Sequence, residues 1–157
     1  MKTELKYAVI FVFLSLAWNC LEFFAGLQDK YIELHPYFVT PFFILMTSVI
    51  YYLAIREKKW IQYRRITFIQ GLITGMRLTL FILLLNPAAL YLFSEFINPN
   101  FYNAFIQHDV LSGKMTQAEA ADYYNLYNFI KVGTLYRFIM GILATAIISF
   151  FLRNRKS

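Results

Sequence analysis

FIKVGTLYRFIMGILATAIISFFL, Phe129 to Leu152, is followed directly by Arg153-Asn154-Arg155-Lys156-Ser157. As a helix the apolar run would be roughly 36 Å long at 1.5 Å per residue, enough to cross a hydrocarbon core of about 30 Å. A run of this polarity with a basic end reads as a membrane crossing. Three more lie upstream: Tyr7 to Leu27, Tyr37 to Ile55, and Leu78 to Ile97. The chain therefore reads as an all-α integral membrane protein with four transmembrane helices. An amphipathic helical hairpin is expected between the third and fourth.

Composition agrees. The 157 residues are 59% hydrophobic and 15% charged, where a soluble domain carries about a quarter charged residues. The net charge of +6 does not point to nucleic acid, because the basic residues flank the apolar runs. In that position they act as topology signals and contacts to anionic lipid. Cys20 has no partner for a disulfide and lies inside the first run, where it reads as a small buried hydrophobe. Lys2 and Lys6 before that run imitate a secretory signal, but Trp18 and Asn19 stand where lipoprotein processing wants small residues. The first run reads as a retained helix.

Between the crossings the chain is uneven. Gln28 to Pro36 is a short polar loop, and Arg56 to Arg65 is the most basic segment. From Ile66 to Ile97 the apolar stretch would be a helix of roughly 48 Å, too long for one perpendicular crossing. Two parts are expected, an interfacial helix over 66–76 and a crossing over 78–97 loosened at Asn86-Pro87. The outer segment 98–128 opens on Asn98-Pro99, a helix start with Asn98 as cap. Gly113 ends that helix, and Thr116-Gln117-Ala118-Glu119 is a capping box for the next. That second helix is expected to run into the fourth crossing. The hairpin's aromatic faces need an apolar partner, expected to be the membrane surface.

Lysine and arginine placement orients the chain. Lys2, Lys6, Arg56, Lys58, Lys59, Arg64, Arg65, Arg153, Arg155 and Lys156 fall on one side, and Lys30 and Lys114 on the other. Both termini are therefore expected in the cytoplasm. Tyrosines such as Tyr31, Tyr37 and Tyr102 mark the outer interface, and Tyr7, Tyr52 and Trp60 the inner one.

Polar groups inside the crossings are the best pointer to a site. Ser15, Asn19, Glu22 and Gly26 share one face of the first crossing. Gly133, Arg137, Gly141, Thr145 and Ser149 share one face of the fourth. Small residues allow close helix approach in lipid, so the two stripes are expected to meet. Glu22 lies roughly 8 Å and Arg137 roughly 12 Å inside the outer ends of their spans. A Glu22–Arg137 pair is expected, with Lys131 as a shallower competitor and Asn19 beside it. Arg77 is expected to reach the inner headgroups. Gly71 and Gly75 form a GxxxG spacing. His35 and His108 read as surface residues with no metal-ligand spacing. The residues offer no nucleophile–base set, no paired catalytic carboxylates and no cofactor motif.

Ile66 to Gly75 opening the third element, Phe96-Ile97-Asn98-Pro99-Asn100-Phe101 opening the outer segment, and the basic tail after the fourth crossing carry a likeness. Over nearly its whole length the chain resembles domain-of-unknown-function family 4199, small four-span membrane proteins found mainly in Bacteroidota. The resemblance implies the bacterial inner membrane and no assigned activity. The expectation is a non-enzymatic accessory or scaffold subunit acting by helix association, as a homo-oligomer or in a larger envelope complex. The alternative is a small-molecule or lipid binding or transport component built on the Glu22–Arg137 region.

Overall fold

The computed structural model describes residues 1–154, so Arg155 and Lys156 of the basic tail lie outside the described residues. Every regular element among the described residues is helical: α1 Lys2–Phe24, α2 His35–Ile61, α3 Phe68–Leu92, α4 Phe101–Leu111, α5 Gln117–Tyr123 and α6 Leu126–Leu152. Four helices, α1, α2, α6 and α3 with its extension, are long and apolar enough to cross a membrane. The chain is a multi-pass membrane protein.

Local sequence explains most helix ends. Gly26 takes a φ of +74°, and the amides of Gly26 and Leu27 bond back to Phe23 and Glu22. This glycine closure ends α1 before Leu27. Gly113, at φ +69°, does the same for α4 through Val110 and Asp109. Nothing in Arg56-Glu57-Lys58-Lys59 breaks a helix, so α2 continues through them to Ile61. Thr116 and Glu119 form the capping box of α5. That helix does not run into α6: Tyr124 leaves the helical region, and the Asn125 side chain accepts from the Asn128 amide to start α6 afresh. Asn98 is not the cap of α4, which begins after Asn100.

The expected break between 76 and 78 is absent. A capping box of Thr67 and Gln70 starts α3. The helix passes Met76 and Arg77 unbroken, passes Pro87, and ends in a π turn over Phe93–Ile97. No proline or glycine pair interrupts residues 76–78, and a helix longer than the bilayer can tilt or protrude rather than break.

The third helix is the centre of the bundle, packed by α6, α1 and α2. The α3–α6 crossing is close. A Cβ on Gly75 would lie 2.2 Å from Thr145 Oγ1, and one on Gly71 would lie 2.5 Å from Ser149 Oγ. On α6, Gly141 leaves room for Thr79 Oγ1 and the Tyr51 hydroxyl, which share a 2.7 Å hydrogen bond. The small-residue stripe of α6 therefore meets α3, not the α1 stripe expected from the sequence. The α1 face of Glu4, Ala8, Phe11, Ser15 and Glu22 is buried against α3 and α2. Ala8, Phe11, Met46, Ile50, Tyr51, Ala54, Leu78 and Ile82 form the core. Large apolar residues such as Phe13, Leu84 and Phe151 face outward, as the surface of a membrane-spanning bundle does.

The end of the bundle that holds the termini is tied shut. Lys59 Nζ donates to the Leu152 carbonyl at 2.7 Å, and Asn154 exchanges two hydrogen bonds with the backbone of Ile66. Lys58 reaches the buried Glu4 carboxylate at 3.2 Å. At the other end a cavity lies between α2 and α6.

Candidate functional site: a cavity between α2 and α6

The sixth helix touches α2 where Gly141 admits Tyr51. One turn and two turns toward the hairpin, Arg137 and Gly133 instead line a cavity of about 720 Å³. Its other walls are His35, Val39 and Phe43 of α2, Phe101 and Phe105 of α4, Tyr124 at the end of α5, and Phe129 in the first turn of α6. Pockets for small molecules run from about 300 to 1,000 Å³, mostly apolar with a few convergent polar groups. This cavity has that size and that make-up. The upper part of the α6 stripe thus lines space, while its lower part packs.

Arg137 marks the deep end. A Cβ at Gly133 would lie 2.6 Å from the Arg137 Nη1, so the guanidinium folds back against Gly133 and a side chain there would make it shift. Its other neighbour is the Phe43 ring, 5.4 Å from the guanidinium carbon. The Nε is buried without a hydrogen-bond partner. No carboxylate pairs with Arg137 among the described residues. A cation–π contact is worth about 0.5–2 kcal/mol, and an uncompensated buried charge costs about 3–5 kcal/mol. The ring does not offset the charge.

The expected Glu22–Arg137 pair does not form. Glu22, 1% exposed, faces Gln28 Nε2 at 3.5 Å and His35 Nε2 at 3.4 Å. Arg137 turns toward Phe43 of α2, while Glu22 turns toward Gln28 and His35. Lys131 is exposed and does not reach Glu22. Asn19 lines the cavity, and its carbonyl accepts from Gln28 Nε2 at 3.2 Å. Arg77 is exposed on the outer face of α3.

Three residues of this region escape a reading by periodicity. Gln28 is buried and ties three segments together, donating to Asn19 and Glu22 and accepting from Asn98 Nδ2 at 3.0 Å. His35 is not a surface residue: it lies between Glu22 and the edge of Phe105, 5.4 Å between ring centroids. The signal for Gln28 and Asn98 would have been the unmatched polarity of Glu22 itself, which needs donors nearby.

α4 and the end of α5 close the far side of the cavity. The aromatic face of α4 meets protein: Phe101 is buried and packs edge-on against Phe93, Phe105 and Phe129. The Tyr124 hydroxyl and Lys114 both donate to Asp109. Burial opposes ionisation of Asp109, but those two bonds hold its carboxyl below the usual carboxylate range. Burial and the neighbouring carboxylate push the Tyr124 phenol well up. At neutral pH this clasp is an ionised aspartate gripped by two donors.

No curated protein and no solved structure matches this chain. The family described as "Protein of unknown function (DUF4199)" matches residues 6–154, nearly the whole chain. The opening of the third helix, the start of the outer segment and the four-helix order all fall within that match, and the chain belongs to the DUF4199 family.

Proposed function

We propose that this protein is a binding component of the bacterial inner membrane, one that holds an amphiphilic small molecule or lipid between α2 and α6 without catalysing a reaction. The cavity of about 720 Å³, apolar on most of its wall and with the unpaired Arg137 in its lining, carries the reading. Both termini would be cytoplasmic, supported by the basic residues gathered at the end of the bundle that holds them.

The alternative role, an accessory or scaffold subunit acting by helix association, would need faces other than the small-residue stripes. Gly71, Gly75 and Gly141 are occupied inside the chain by Ser149, Thr145 and Tyr51. A homo-oligomer or larger envelope complex would have to form through the bulky outer surfaces.

Val39→Trp fills the cavity from α2 and tests the binding role. Native mass spectrometry of protein released from nanodiscs made with whole-membrane lipid should show a non-covalent adduct on the wild type and little on the variant. Equal adducts on both, or none on either, would contradict the reading.

A further inference from the structure

We infer that the ligand of this cavity is an anionic single-chain amphiphile, its carboxylate or phosphate head on the Arg137 guanidinium and its chain against Phe43, Phe105 and Phe129. The inference rests on the cavity-binding reading and adds the charge and shape of the ligand.

The charge follows from what surrounds Arg137. Its guanidinium lines the cavity and its Nε is buried without a hydrogen bond. Two carboxylates share the lining, Asp109 and Glu33. Asp109 is already held by Tyr124 and Lys114, and Glu33 is exposed. Neither pairs with Arg137 among the described residues. A guanidinium offers a planar fork of donors that fits a carboxylate or phosphate with two parallel bonds. Gly133 is part of the arrangement, since any side chain there would take the space of Nη1.

The shape follows from the walls. Beyond Arg137 they are mainly aromatic and aliphatic, and about 720 Å³ suits one apolar body rather than both chains of a phospholipid. Thr40 on α2 and Val132 and Tyr136 on α6 line the cavity and are exposed at its flank. A single chain could enter sideways from the bilayer through that gap. A fatty acid and a lysophospholipid share this chemistry.

The test uses the full chain in nanodiscs and saturable binding of radiolabelled oleate, with oleyl alcohol, oleoyl lysophosphatidate and inorganic phosphate as competitors. Oleate should bind the wild type at least tenfold more tightly than the alcohol competes. Arg137→Gln should remove that preference while leaving the alcohol unchanged, and Gly133→Ala should weaken oleate several-fold. Thermal melting checks that both variants fold. A lysophosphatidate that competes better than oleate assigns the head to phosphate, and the reverse order to carboxylate; either supports the inference. Equal competition by the alcohol, or unchanged oleate binding in Arg137→Gln, overturns the anionic head while the cavity reading stands. Inorganic phosphate competing as well as oleate overturns the chain. No saturable binding of any probe, or full binding in Val39→Trp, overturns the cavity reading itself.

Discussion

Gly75→Leu should leave little folded protein in a mild-detergent unfolding titration. A Cβ at position 75 would already lie 2.2 Å from Oγ1, 2.4 Å from Cγ2 and 2.7 Å from Cβ of Thr145. Those atoms belong to a β-branched side chain with no flexible end to swing away. Gly75→Ala must therefore push α3 and α6 apart, and overpacking of this kind costs about 1–3 kcal/mol. Leucine adds a branched group to the same clash. In lipid the loss has little to offset it, because association of helices there depends on close contact rather than on burial from water. Replacing Thr145 by glycine alongside Gly75→Ala should recover most of the loss. Ile73→Ala, on the exposed face of the same helix, should change stability by less than about 0.5 kcal/mol.

Gln28→Leu should be the most damaging change outside the helix crossings. The side chain is buried and makes hydrogen bonds to Asn19, Glu22 and Asn98. Leucine has nearly its volume and none of its polarity. Each buried group left unpaired costs about 1–3 kcal/mol, more where it is charged. Here a carbonyl, a carboxylate and an amide would lose a partner together. The ends of α1 and α3 should then separate, read as faster hydrogen exchange around residues 19–28 and 94–98. Asn98→Ala removes only one of the three bonds and should cost less.

The membrane class, the number of crossings and the Thr116 capping box are legible in the sequence because each depends on neighbours along the chain. Hydropathy over twenty residues needs no tertiary information. Helical spacing also identifies which residues of α1 and α6 turn inward: Ser15, Glu22, Gly141, Thr145 and Ser149 are all buried. It does not say which helix they turn toward. Gly71 and Gly75 on α3 fit the α6 stripe better than anything on α1. Choosing between them needs the order of helices around the bundle, which no single-helix pattern contains.

The same limit applies to the site. Position along a helix is legible for Glu22 and Arg137. Their directions are not, and a cavity lies on the side of Arg137 where a carboxylate was expected. A cavity has no residue pattern of its own, because it is where packing stops. Gly133 shows how little trace it leaves, a small residue that reads as a packing site and in fact accommodates a guanidinium.

A double-mutant cycle on Glu22→Gln and Arg137→Gln in a detergent unfolding assay asks directly whether Arg137 is free for a ligand. An arginine without a partner in the chain predicts an interaction energy below about 0.5 kcal/mol, with Arg137→Gln at least as stable as the wild type. A coupling of about 3–5 kcal/mol, the range for breaking a buried ion pair, would contradict it.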